Sequence, residues 1–210
     1  MSEFTTIEQR ASYGVGRNMG EQLAANPFDG IDISAVQQGL ADAFAKEASK
    51  VSVDDLNEAF KEINERMQAA AAEKATVMAA EGEKYLEENA KREGVTTVAS
   101  GLQFEVVSEG EGEKPAATDV VKVHYKGTLL DGTEFDSSYA RNEPTTFPLN
   151  RVIAGWTEGL QLMPVGSKYK FTIPSELAYG DRDLGKIPAN STLVFEVELL
   201  EIQNAEAPAE

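Results

Sequence analysis

Two hundred and ten residues are more than one ordinary domain needs and suggest two modest ones. Apolar residues make up 41% of the chain and charged residues 26%, which excludes wholesale disorder. The net charge of −17 divides almost evenly, −8 over residues 1–94 and −9 over 95–210, and repels phosphate backbones and anionic membrane surfaces, so no nucleic-acid or membrane partner is expected.

The chain has no cysteine, which rules out a disulfide framework and a thiolate catalyst. The segment MSEFTTIEQR has no basic stretch followed by an apolar run, and no segment is long enough for a membrane span. These features predict a soluble, cytoplasmic protein.

The part before Gly94 reads as helix. Ile7, Ala11, Val15, Met19 and Leu23 recur at four-residue steps as one apolar stripe. Asn26-Pro27 ends that helix, because the residue before a proline is pushed out of the α region. Ser34 is the expected N-cap of a second helix whose buried face is Val36, Leu40 and Phe44. Ser52-Val53-Asp54-Asp55 has the form of a capping box and opens a third helix, with an apolar seam of Val53, Leu56, Phe60, Ile63 and Met67. Beyond the seam the chain is rich in Ala, Glu and Lys, all good helix formers, and nothing before Gly94 stops them. Unbroken from Val53 to Glu93, such a helix would span roughly 60 Å at 1.5 Å per residue. Gly82 is its weak point, and with so little apolar surface it reads as a spacer.

At Gly94 the period changes from 3.6 to 2. Leu102, Phe104 and Val106 alternate with polar residues, as do Val121, Val123, Tyr125 and Leu129 against Lys122, His124 and Lys126. The same holds for Tyr169, Phe171 and Ile173, and for Leu193, Phe195, Val197 and Leu199. These are strands of an antiparallel sheet with one wet face. Asp131-Gly132 is a hairpin turn, and one short helix, about Val152 to Leu160, interrupts the series. The fold class is α+β: an all-α association region, a long linker helix, then a curled antiparallel sheet wrapped on one helix. The expected boundaries are a helical dimerisation domain over 1–70, a linker over 71–93, the β-rich domain over 94–204 and a disordered tail over 205–210.

Two motifs fail on inspection. Gly14, Gly16 and Gly20 suggest a dinucleotide loop, but the third glycine comes one position late and no strand precedes it, so close helix packing is the better reading. His124 is the lone histidine and points away from Tyr125 in the strand alternation, which suits a surface role. With no cysteine and no histidine cluster, neither a metal nor any other cofactor is expected.

The informative strings are VHYKGTLLDGTEFDSS (123–138), FPLNRVIAGWTEGLQLMPVG (147–166) and KYKFTIPSELAYGDRDLGKIPANSTLVFEVELLEI (168–202). Taken in order, Val-His-Tyr-x-Gly, Gly-x-x-Phe-Asp-Ser-Ser, Val-Ile-x-Gly-Trp-x-Glu-Gly and Ala-Tyr-Gly resemble the FKBP-type peptidyl-prolyl cis/trans isomerases from about Gly94 to Ile202. The helical layout before them is similar to the dimeric subclass that includes the macrophage infectivity potentiators. The resemblance implies a pocket with Trp156 as floor and Tyr125, Phe135, Phe147, Val152, Ile153, Tyr179, Ile187 and Phe195 as walls. It places Asp136 at the rim, paired with Arg141 near the Tyr125 hydroxyl. The Ile153 N–H and the Tyr179 hydroxyl would donate to substrate carbonyls. Implied partners are unfolded or nascent proline-containing chains, macrolide inhibitors such as rapamycin, and a second copy of the chain. The loop DRDL between Gly180 and Gly185 is one residue shorter than in the best-known small members and lacks their histidine; Lys186 stands where an apolar residue is common. The other reading is a holdase or docking module that uses the same pocket and the cleft between two subunits.

Overall fold

The computed structural model describes residues 3–25 and 27–203. The expected stop at Asn26 and the expected tail at 205–210 lie outside the described residues. Two compact units divide between Ala69 and Ala70.

The first unit contains α1 (Ile7–Ala25), α2 (Ile33–Phe44) and the start of α3 (Val53–Asn89). The second helix is capped by Asp32, not Ser34: the Asp32 carboxylate accepts from the N–H groups of Ser34 and Ala35 at 2.8 and 3.3 Å. Asp32 has the extended backbone an N-cap requires, whereas Ser34 already lies inside the helix. The Ser52 hydroxyl accepts from the Asp55 N–H at 3.1 Å and so opens α3 as expected. The face of α2 expected to be buried is covered only in part: Val36 is half-buried, but Leu40 is 48% and Phe44 91% exposed. None of the residues of α1 or α2 is buried.

The second unit takes in the rest of α3, which ends at Asn89 and not at Glu93. Asn89 is drawn into the protein, where its amide donates to the Gln103 side chain at 2.7 Å. The chain then leaves the helix in tight turns closed by Lys91 N–H to Glu88 O and Arg92 N–H to Asn89 O. Gly94 follows with φ +86°. Gly82 is not a bend but a docking point: a Cβ there would lie 2.4 Å from the Thr192 hydroxyl oxygen. The segment read as a spacer therefore packs on the sheet through its last turns.

Seven strands form one antiparallel sheet: β1 (Val95–Thr97), β2 (Gln103–Ser108), β3 (Val120–Thr128), β4 (Glu134–Ser137), β5 (Thr145–Pro148), β6 (Lys168–Ile173) and β7 (Leu193–Gln203). Their order is β1-β2-β6-β7-β3-β4, with β5 beside β4 on the same edge of β3. The Asp131-Gly132 turn links β3 to β4, closed by Gly132 N–H to Leu129 O at 3.0 Å. The predicted alternation holds on the core face, where Val121, Val123, Phe171, Ile173, Leu193, Val197 and Leu199 are buried. The opposite face is not wholly wet. Gln103 and Thr172 are buried there because α3 covers them, and the Gln103 amide donates to Leu86 O at 2.8 Å.

The short helix α4 (Ala154–Leu160) follows a 3-10 turn, Leu149–Arg151, and lies against the core face. Two glycines one turn apart allow the close approach. A Cβ at Gly155 would meet Ile173 at 2.4 Å, and one at Gly159 would meet the Phe171 ring at 2.7 Å. That contact fixes Trp156, the next residue in the helix, at the mouth of the curled sheet.

Candidate active site

A cavity of about 680 Å³ opens beside α4. Its floor is the Trp156 indole, buried by contact with three rings. Tyr125 meets it edge-on at 5.1 Å, Phe195 edge-on at 5.1 Å, and Phe147 at 5.3 Å with a tilt of 48°. Edge-to-face contacts of this kind add to area burial, because the positive rim of one ring meets the negative face of the next. Phe135 extends the wall by packing edge-on against Phe195 at 5.5 Å. Both rings lie over Gly127, where a Cβ would come within 2.7 Å of each. The indole N–H has no hydrogen-bond partner among the described residues although it is buried. Leaving a buried donor unpaired costs about 1–3 kcal/mol, so this position is not optimised for stability alone.

Ten of the residues expected at a pocket line this one cavity. They are the five aromatics just described with Tyr179, the apolar residues Val152, Ile153 and Ile187, and Asp136 at the rim. Arg141 does not line it; its guanidinium sits behind Asp136 and pairs with that carboxylate. The Tyr125 hydroxyl donates to Asp136 and accepts from Arg141 at 2.9 Å, which closes a three-membered polar cluster. Sequence reading missed Thr145, Arg151, Ala178, Arg182 and Leu184 as lining residues, and noted Lys186 only as an unusual choice.

One backbone and one side-chain donor stand ready at the cavity. The Ile153 carbonyl is consumed by the first turn of α4, accepting from Trp156 and Thr157 N–H at 3.0 and 3.1 Å. Its N–H has no partner among the described residues, and neither has the Tyr179 hydroxyl. His124 takes no part. It stacks on Tyr139 at 4.6 Å, and its Nδ1 lies 2.9 Å from the Ser138 hydroxyl, away from the cavity.

Electrostatics at the rim follow from the polar cluster. Burial opposes ionisation of Asp136, but the Tyr125 hydroxyl and the Arg141 guanidinium outweigh it and hold the carboxyl below its ordinary value. Burial and the hydrogen bond to Asp136 push the Tyr125 phenol up. A carboxyl depressed on folding stabilises the protein above its unfolded value of 3.8, and that stability is lost as pH falls through the folded value. Urea unfolding followed below about pH 4 should therefore show a small loss that Asp136→Asn removes. Because Asp136 is 43% exposed, the effect should be no more than about 0.5 kcal/mol. An unchanged acid limb in the variant would mean that the cluster contributes nothing to folding.

Comparison with known proteins fits this geometry. Residues 111–200 match the family described as FKBP-type peptidyl-prolyl cis-trans isomerase. Residues 8–106 match the domain amino-terminal to it. The FKBP-type 22 kDa peptidyl-prolyl cis-trans isomerase of Escherichia coli K12 is 56% identical over 95% of this chain and 97% of its own. The crystal structure of FkpA from Escherichia coli superimposes with a TM-score of 0.70 at 40% identity, covering 96% of this chain and 99% of that one. A protein of Legionella longbeachae named outer membrane protein MIP is 36% identical over 97% of this chain and 89% of its own. Among the described residues no helix is long and apolar enough to cross a membrane. The cytoplasmic location expected from the sequence finds no support in these relatives, one of which is named for the outer membrane. With both halves matched and more than half its residues shared with a curated relative, the chain belongs to the FKBP-type peptidyl-prolyl cis-trans isomerases, and it is an isomerase.

Proposed function

We propose that the cavity floored by Trp156 is where this isomerase turns X-Pro bonds of polypeptide clients, with the Ile153 N–H and the Tyr179 hydroxyl holding the substrate carbonyls. The observation that carries this reading is the pair of free donors beside an apolar, aromatic hollow. Rotation about an X-Pro bond must break amide resonance, at a barrier of about 18–20 kcal/mol. A twisted amide has lost the charge separation of the planar one. An aromatic hollow therefore favours the twisted form relative to water, which is differential binding of the transition state. Each 1.36 kcal/mol of that preference is worth about tenfold in rate. Tyr125, Phe135, Phe147, Val152, Ile187 and Phe195 supply the apolar walls. The Asp136–Arg141 pair keeps the Tyr125 hydroxyl turned to the rim, so its ring and not its polar tip faces the proline. No bond to the substrate forms or breaks, so the task asks only for shape, donors and a dry wall.

Exchange spectroscopy on an X-Pro peptide tests the assignment. Catalysed exchange should be suppressed by saturating rapamycin, and both ligands should shift the emission of Trp156, the lone tryptophan. If exchange is catalysed while neither ligand alters that emission, the reaction takes place elsewhere on the protein.

Residues 1–70 are read as a dimerisation segment joined through 71–93 to the isomerase domain, 94–204. The support is the apolar surface left open on the helices: Ile7 is 79%, Val15 63%, Phe44 91% and Phe60 67% exposed in the single chain. So short a segment has little core of its own, and a second copy would cover these stripes by two-fold pairing.

A further inference from the structure

The protein is strongly acidic, yet the cavity is ringed by cations. Of the nine Lys and Arg residues in 95–210, Arg151, Arg182 and Lys186 line the cavity, while Asp136 is the acidic residue among its lining groups. The Asp136 charge is already matched by Arg141, which does not line the cavity. Elsewhere on the sheet, Lys122 pairs with Glu201 at 3.8 Å, Lys126 with Glu134 at 3.6 Å and Lys168 with Glu196 at 3.4 Å, whereas Lys170 of β6 has no such pair. Arg151, Arg182 and Lys186 have no carboxylate partner among the described residues. Among the described residues, five of those nine cations have no ion pair, and three of the five line the cavity.

The loop after Tyr179 is built to present them. Its residues alternate, with Arg182, Leu184 and Lys186 lining the cavity and Asp181 and Asp183 excluded from the lining. The Asp183 carboxylate is occupied inside the loop, accepting from the Gly185 N–H at 2.7 Å. Arg182 is tethered through Nε to the Tyr179 carbonyl at 3.3 Å, which leaves its terminal nitrogens open. Leu184 N–H to Ile187 O at 3.0 Å and Asn190 N–H to Gly180 O at 2.8 Å hold the loop in shape. Arg151 lines the same cavity from the end of the 3-10 turn that leads into Ile153.

We propose that the cationic rim of Arg151, Arg182 and Lys186 selects X-Pro segments carrying an acidic side chain next to the proline. The proposal rests on the cavity being the isomerase site. An Asp or Glu flanking the proline meets unpaired cations as the apolar ring of the proline settles over Trp156, whereas a Lys there is repelled. The acidic remainder of the chain repels such a client, so attraction is confined to the rim and orients the approach.

The test is exchange spectroscopy on peptides Ala-X-Pro-Z, with Leu, Gln, Glu or Lys placed in turn at X or Z. With the full-length protein at low salt, Glu at one of the two positions should exceed Lys there by about five- to tenfold in kcat/KM, with Gln between them. The spread should shrink as salt rises to about 0.5 M. In Arg182→Glu/Lys186→Glu the order of Glu and Lys should invert, and in Arg151→Gln the spread should narrow; thermal unfolding checks that each variant is folded. Equal rates for Glu, Gln and Lys, with the Leu peptide turned over normally, overturn the proposal and leave the isomerase site standing. A preference for Glu that survives charge reversal also overturns it. Failure to turn over any peptide, Leu included, overturns the reading of the cavity itself.

Discussion

Trp156→Ala should lower kcat/KM on an X-Pro peptide, and rapamycin affinity with it, by about 100-fold, the scale of losing a central aromatic anchor. The indole is the surface on which Tyr125, Phe147 and Phe195 converge, so its removal deepens the cavity and lets water into the place where the amide twists. Stability falls as well, by about 3–5 kcal/mol for truncating a buried aromatic. Leu160→Ala separates the two effects. Leu160 is fully buried on the same helix but does not line the cavity, so it should cost about 2–5 kcal/mol of stability and leave the folded protein close to full activity. Trp156→Phe should recover most of the stability, since the indole N–H that it deletes has no partner among the described residues. The comparison is made on peptide exchange and rapamycin titration at a temperature where every variant is folded. Equal losses of activity in Trp156→Ala and Leu160→Ala would reduce Trp156 to ordinary core packing.

Deleting residues 1–69 should give a folded monomer that retains peptide isomerisation within about twofold but slows catalysed refolding of a proline-limited protein by about tenfold or more. A test peptide sees only the pocket. A client chain bound to a dimer rebinds a second active site intramolecularly, and that advantage disappears in the monomer. Light scattering should report about twice the 22.7 kDa chain mass for the intact protein. A full-length monomer at micromolar concentration would end the association proposal. The position of the cut matters. Deleting residues 1–89 also removes the last turns of α3, with the Asn89–Gln103, Gln103–Leu86 and Asn190–Ala75 hydrogen bonds. At about 1 kcal/mol each, that deletion should cost about 3 kcal/mol more than the shorter one, visible as a lower urea midpoint. Equal stability of the two fragments would show that this part of α3 is only a connector.

Much of this was legible in the sequence. The switch from a four-residue to a two-residue period at Gly94 marks where helix gives way to sheet, because side-chain direction repeats locally in both structures. The Asp131-Gly132 turn and the Ser52 cap were legible for the same reason: their hydrogen bonds close within four residues. The aromatic pocket residues were found through ordered motifs, not through periodicity, which makes Tyr125 and Val123 look alike.

What the sequence could not settle was decided by partners distant along the chain. Asn89 ends α3 because Gln103 lies beneath it, and no local signal separates Asn89 from the equally helical residues before it. Thr172 and Gln103 read as wet-face residues and are buried because that same helix covers them. The stripes of α1 and α2 read as faces to be buried in an association region, but periodicity tells which side of a helix is apolar and not what covers it. Arg151, Arg182 and Lys186 are spread over thirty-six positions and interleaved with Glu158, Glu176, Asp181 and Asp183, and they come together only because the 3-10 turn before α4 and the loop after Tyr179 line one cavity. Spacing along a chain records local geometry; convergence of charge in space requires the fold.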